Sequence, residues 1–203
     1  MKRIPTAVFS EWAEIGRDEL MAKGHEVAVN NMLEYALKDK KKFSFIDAGC
    51  GNGWVVRLVK ARKGCVAASG VDGAQMMIEK ALSIEPSGAY FLADLSHWSP
   101  NEKVDVVHSM EVVYYLFDPK AFIANIYKNW LKEGGRLIVG LDFYKENTAS
   151  HSWPEDCGVS IMQLLPEATW IDFFKKAGFS NVQSWRVDEK ENWAGTLVLT
   201  GVK

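Results

Sequence analysis

Three cysteines in 203 residues, none in a CxxC pair, leave this chain no disulfide framework and no zinc knuckle. Its four histidines form no HxxxH or HExxH pattern, so no metal is expected. No apolar run approaches the roughly 18 residues that a spanning helix needs. Val112 to Phe117 is among the longest, and Ala7-Val8-Phe9 is too short for a signal-peptide core. A cytoplasmic protein without a membrane partner is the expectation. Excess charge is missing too: 24 Lys and Arg stand against 26 Asp and Glu, so no global field draws nucleic acid. The basic run Lys38, Lys40, Lys41 and Lys42 reads as a helix end. Repeats and low-complexity tracts are also absent. What is present is a 48% apolar composition, enough at this length to bury a core without a staple.

From Phe43 onward short β-type runs alternate with helical stripes. Phe43 to Ile46, Val66 to Val71, Ala89 to Leu92, Val104 to His108 and Arg136 to Leu141 read as strands. Between them Val55, Leu58 and Val59, then Ala74, Met77, Ile78, Ala81 and Leu82, fall at helical spacing. Asp118-Pro119 has the chemistry of a helix start, and Pro166 opens a later helix closed by Gly178. The runs Val182 to Val187 and Thr196 to Val202 are too close for a helical crossover, so they form an antiparallel hairpin. Five βα units and a hairpin predict an α/β, Rossmann-like three-layer sandwich with a mostly parallel sheet. Residues 1–42 carry helical stripes instead, with Ser10 as a candidate cap, and read as an N-terminal helical cap on a single domain whose core is 43–203.

The stretch Asp47-Ala-Gly49-Cys50-Gly51-Asn52-Gly53-Trp54 follows the first strand and opens a helix. Three glycines at alternate positions let backbone approach a ligand at the carboxyl edge of the sheet. The dinucleotide fingerprint wants its third glycine where Trp54 stands, which argues against NAD. Asp72 ends the second strand, nineteen residues beyond Gly53, where an acid can accept from ribose hydroxyls; Asp94 ends the third, within reach of a purine amine. Asp47 lies beside the turn, where an amino group is a natural partner. Each feature alone reads as a loop or a cap. Their fall at consecutive strand ends joins them.

With Val71-Asp72-Gly73-Ala-Gln-Met-Met77, Ala93-Asp94-Leu95, Val104 to Leu116 and Lys132 to Val139, these residues make the chain resemble the class I S-adenosylmethionine-dependent methyltransferases over about residues 43–203. The resemblance implies a seven-stranded sheet in the order 3-2-1-4-5-7-6 with strand 7 antiparallel. It also implies S-adenosylmethionine as cofactor and S-adenosylhomocysteine as product. It puts Gly49, Cys50 and Gly51 under the methionine part, Asp72 and Gly73 at the ribose, and Asp94 and Leu95 at the adenine. Met77 packs on the adenine face, and His108, Ser109 and Met110 contact the cofactor through backbone. The chain departs from many relatives in carrying Tyr114-Tyr115 where they have Glu-His.

Methyl transfer is an in-line displacement served by alignment and exclusion of water, and a base is optional. Candidate catalytic groups are Tyr115 and the loop histidine His151; Trp153 is a candidate pocket ring, and Arg17 can pair with the cofactor carboxylate. The cap and segment 143–165 are expected to close over the site and hold a small-molecule acceptor. The protein is expected as a monomer or homodimer without nucleic acid. The alternatives are an RNA or protein methyltransferase, or a non-catalytic S-adenosylmethionine-binding module.

Overall fold

The computed structural model of the chain describes residues 2–203. Seven strands form one sheet: β1 (Phe43–Ala48), β2 (Cys65–Asp72), β3 (Ala89–Leu92), β4 (Val104–Met110), β5 (Leu131–Leu141), β6 (Ser180–Val187) and β7 (Thr196–Val202). Their order is β3-β2-β1-β4-β5-β7-β6, and β7 runs antiparallel to both neighbours. The expected topology is observed. The helices are α1 (Pro5–Glu14), α2 (Arg17–Leu37), α3 (Trp54–Lys60), α4 (Gln75–Ile84), α5 (Pro119–Asn125), the single turn α6 (Trp153–Asp156) and α7 (Glu167–Ala177). Among the described residues, no helix is long and apolar enough to cross a membrane.

Period-two alternation divides the central strands between two cores. Phe43, Phe45, Val106, Ile138 and Val198 face the second half of α2, which buries Val29, Met32 and Leu33 on them. Ile46, Val107, Leu137, Val139, Leu197 and Leu199 face the other way, under Phe122 and Ile123 of α5 and Trp170 and Phe174 of α7. The central parallel strands are therefore apolar on both faces.

Asp118 caps α5 as its chemistry predicts, its Oδ1 accepting the Ala121 amide at 2.9 Å. Two boundaries differ from the expectation. Ser10 is no cap: α1 begins at Pro5, whose missing N–H costs nothing in a first turn, and Ser10 lies mid-helix. Strand β5 starts at Leu131, and Gly134-Gly135 form a bulge within it, Gly134 at φ 72°.

The cap and segment 143–165 meet each other. Arg3 forms a parallel bridge to Val159, giving its amide to Gly158 O at 2.9 Å and accepting from the Ser160 amide at 2.8 Å. Val8 and Trp12 of α1 then pack with Val159 and with Ala74 and Met77 at the start of α4. This junction covers the carboxyl edge of the sheet, where the glycine turn lies.

Candidate functional site

The turn after β1 is held by backbone in the left-handed region. Gly49, Gly51 and Gly53 have φ of 81°, 51° and 78°. The amides of Gly49 and Cys50 both donate to Val71 O, at 2.7 and 3.1 Å, which hangs the turn on the end of β2. Asp72 completes the tie: one carboxylate oxygen accepts from the Gly51 amide at 2.9 Å, the other from the Ala74 amide at 2.8 Å. Burial raises its pKa against these bonds. Each oxygen keeps a free lone-pair direction for a hydroxyl donor.

Asp47 is buried at the foot of the turn, and its Oδ1 lies 2.7 Å from Nδ1 of His108. An ionised carboxylate only accepts, so Nδ1 carries the proton. His108 is wholly enclosed, its ring stacked on Phe45 at 6.0 Å, and so aims Asp47 at the turn. Ser109 is also enclosed and donates to Ala48 O at 2.8 Å. Both act behind the site.

A cavity of about 540 Å³ opens over the turn. That is the size of a small-ligand site. Of the residues singled out in the sequence, Asp47, Gly49, Cys50, Gly51, Asp72, Gly73, Met77, Asp94, Leu95, Met110 and Tyr115 line it together. Four others do not line it. His108 and Ser109 lie behind it, as described. Arg17 is exposed, its guanidinium 3.9 Å over the Trp12 ring. His151 is exposed, with a ring nitrogen 3.1 Å from Lys145 O. Trp153, the candidate pocket ring, also lies outside the lining and stacks on Trp193 at 6.0 Å. Burial keeps the Cys50 thiol and the Tyr115 hydroxyl protonated, so Tyr115 is a wall and a hydrogen-bond donor rather than a base.

Four further residues complete the site. Asp18 of α2 is buried, accepting from Asn52 Nδ2 at 2.7 Å and pairing with Lys80 of α4 at 2.8 Å; it clamps the cap onto the turn. His25 of α2 and Glu111, just past β4, also line the cavity. Behind them Asp142 follows β5, with Oδ2 3.6 Å from His25 Nε2 and Oδ1 without a partner. Glu111 accepts from the Tyr114 hydroxyl and from the Asp142 amide. Burial beside Asp142 drives the Glu111 carboxyl well up, burial takes Asp142 to about 6, and burial takes His25 down to about 4. Burial thus works against charge on all three groups, and His25 is neutral at pH 7.

The charged lining is one-sided. Asp18, Asp47, Asp72, Asp94 and Glu111 face the cavity with the neutral His25, and among the described residues no Lys or Arg lines it. A pyrophosphate would find no cation here. A ligand offering an amine, ribose hydroxyls and an adenine would find acceptors, so S-adenosylmethionine fits this set.

Comparison with known proteins agrees with the geometry. Residues 19–184 match the family described as methyltransferase domain. Trans-aconitate 2-methyltransferase of Klebsiella pneumoniae is 25% identical over 146 residues, covering 70% of this chain and 57% of that protein. The trans-aconitate 2-methyltransferase of Agrobacterium fabrum is 32% identical over 132 residues, covering 65% of this chain and 48% of that one. The chain thus spans about half the length of the curated relatives it matches. Among solved structures, a putative methyltransferase in complex with the Haloferax volcanii Trm112 methyltransferase activator superposes with a TM-score of 0.85 at 24% identity, covering 100% of this chain and 99% of that one. A Thermotoga maritima protein described as a possible histamine N-methyltransferase gives 0.72 at 20%, covering 97% and 98%. At these identities the structures share the fold.

Proposed function

Because the chain belongs to the class I S-adenosylmethionine-dependent methyltransferases, we propose that it transfers the methyl group of S-adenosylmethionine to a small-molecule acceptor within the cavity. The supporting observation is the joining, in one 540 Å³ space, of the glycine turn, the carboxylates of Asp47, Asp72 and Asp94, and a region beyond them walled by Phe9, Val112 and Tyr115. Among the described residues, no Lys or Arg lines the cavity, which disfavours RNA as acceptor.

Gly49 and Gly51 would carry the methionine part, Asp47 its amino group, Asp72 the ribose and Asp94 the adenine edge. When bound, the cofactor supplies an electrophilic methyl group on a sulfonium. The chain's own contribution is positional: His108 holds Asp47, Asp72 holds the turn, and the α1–Val159 junction keeps water out. Exclusion of water favours a reaction in which charge disperses. The reading needs no metal. Its three unpaired cysteines suit the cytoplasm.

Titration calorimetry tests this reading. S-adenosylhomocysteine should bind and NAD should not. Asp72→Ala should weaken binding by about 1–3 kcal/mol, since a charge-assisted acceptor is lost and the Gly51 amide is freed. An unchanged dissociation constant in the folded variant would reduce Asp72 to a turn residue.

A second reading concerns assembly. Strand β3 is a sheet edge that exposes Phe91 and Leu92, flanked by exposed Leu82 and Ile84 of α4. Ala89-Tyr-Phe-Leu92 carries no charge to blunt that edge. We infer that a small activator of the Trm112 kind adds along β3. Co-expressed with such a protein, the chain should elute as a one-to-one complex by light scattering, and Phe91→Asp should separate the two. Monomeric elution of the parent with that partner present would refute it.

A further inference from the structure

The carboxylates of Glu111 and Asp142 are 8% and 4% exposed, and neither forms a salt bridge to Lys or Arg. Glu111, Asp142 and His25 each offer a donor atom within 4.8 Å of the others, and Asp142 Oδ1 has no hydrogen-bond partner among the described residues. Two acids this close, this buried and unpaired cost stability unless a proton or a cation sits between them. Glu111 is also held at φ 59°, a left-handed backbone that an L-residue with a side chain rarely adopts. Strain of that kind, kept beside a cavity, belongs to a residue that the site uses.

The opening in front of Glu111 and His25 fits one chemistry. Phe9, Met21, Val112, Tyr115 and Ile161 make the walls apolar. Beside Glu111 an anion is disfavoured, because the charged side chains of the lining are acidic. A polycarboxylate of the kind acted on by the trans-aconitate enzymes would face repulsion and no counter-ion.

Building on the methyltransferase reading, we propose that the acceptor is an amine on an apolar body. Its ammonium is bound by Glu111 at the cavity wall, with Asp142 behind and His25 beside it. Phe9 and Tyr115, packed edge-to-face at 4.9 Å, are aromatic walls of the same cavity. The ammonium sits against the two carboxyls, and any proton they hold there is released to solvent. Before transfer it returns one proton to the pair, freeing the nitrogen lone pair. The N–C bond then forms as the S–C bond breaks, and the bonding pair stays on sulfur. The product nitrogen is again cationic.

The test is binding of benzylamine, phenethylamine and butylamine to protein saturated with S-adenosylhomocysteine, measured by calorimetry beside the matched alcohols and trans-aconitate. At least one amine should bind about tenfold or more tighter than its alcohol, and trans-aconitate should give no binding heat. Glu111→Gln should weaken the amine roughly 10–100-fold and leave the S-adenosylhomocysteine constant within about twofold. Asp142→Asn supplies the same comparison if Glu111→Gln does not fold. The proposal is overturned if amines bind no better than alcohols, if trans-aconitate binds, or if both variants leave the amine constant unchanged. It is also overturned if Mn²⁺ or Zn²⁺ binds tightly to the parent and is lost in Glu111→Gln, since the cation would then be a metal. Absence of S-adenosylhomocysteine binding would remove the methyltransferase reading itself, and this inference with it.

Discussion

Gly49→Ala should abolish useful cofactor binding and lower the melting temperature together. Gly49 sits at φ 81°, and a Cβ built there lies 2.2 Å from one methyl of Val112 and 2.8 Å from the other. The left-handed backbone costs alanine about 1–2 kcal/mol. The overlap costs roughly 1–3 kcal/mol more, because Val112 must turn its methyls into the cavity it lines or shift against the core it packs on. For a domain of this length the combined loss corresponds to about 5–15 °C by thermal scan. The turn cannot relieve the clash without breaking the amide bonds that Gly49 and Cys50 make to Val71 O. Shifting it carries the Gly51 amide away from Asp72. Binding of S-adenosylhomocysteine should therefore weaken about tenfold or more, beyond what Asp72→Ala does alone. The double variant Gly49→Ala, Val112→Ala separates the two causes: it removes the overlap and leaves the backbone strain, so only part of the stability should return. A single variant with the parent's melting temperature and affinity would contradict the geometry.

The parts of this site that were legible in the sequence are those set by neighbours in the chain. The glycine spacing, the acid ending each of the first three strands and the Asp118 cap depend on a few consecutive residues, and strand alternation depends on a period of two. The clamp of Asp18 on Asn52 and Lys80 was not legible, because it exists only where α2 comes to rest across the turn, 34 and 62 residues away. His25 meets Asp142 by the same kind of long-range approach. The long-range fold also sets Arg17 and His151, which lie exposed, and Trp153, which packs against Trp193 and the core instead of lining the cavity. One signal was present and local. Glu111 stands between Met110 and Val112, and Asp142 between Leu141 and Phe143. Each is a lone acid inside an apolar run at the carboxyl end of a central strand. Adjacent parallel strands bring such residues side by side, and β4 and β5 are adjacent.

Asp142→Asn should stabilise the protein at neutral pH and do nothing in acid. The ordinary carboxyl titrates at 3.8 and Asp142 at about 6, raised by burial, with Asp188 adding to the rise and Thr196 opposing it. A folded pKa above the unfolded one means that the native state holds the extra proton between those values. Stability from this group therefore falls as pH rises from about 4 to about 6, and the deficit stays constant above that. The gap corresponds to about 3 kcal/mol, an upper figure because a buried site relaxes. Asparagine keeps the shape and carries no charge to desolvate. It also lifts the repulsion that Asp142 exerts on Glu111. The other charged neighbours are Asp188, itself paired with Lys190, and His25, which is driven down to about 4 and loses stability in the opposite direction as pH falls below 6.5. Since parent and variant share them, a difference between two denaturation curves cancels most of their effect. Urea melts at pH 7.5 should show the variant ahead by about 1–3 kcal/mol, and the two should coincide near pH 4. An advantage that persists unchanged at pH 4 would place its origin in packing. If the variant is less stable at both values, Asp142 has a partner in solution that outweighs its burial, and a bound cation is the first to seek.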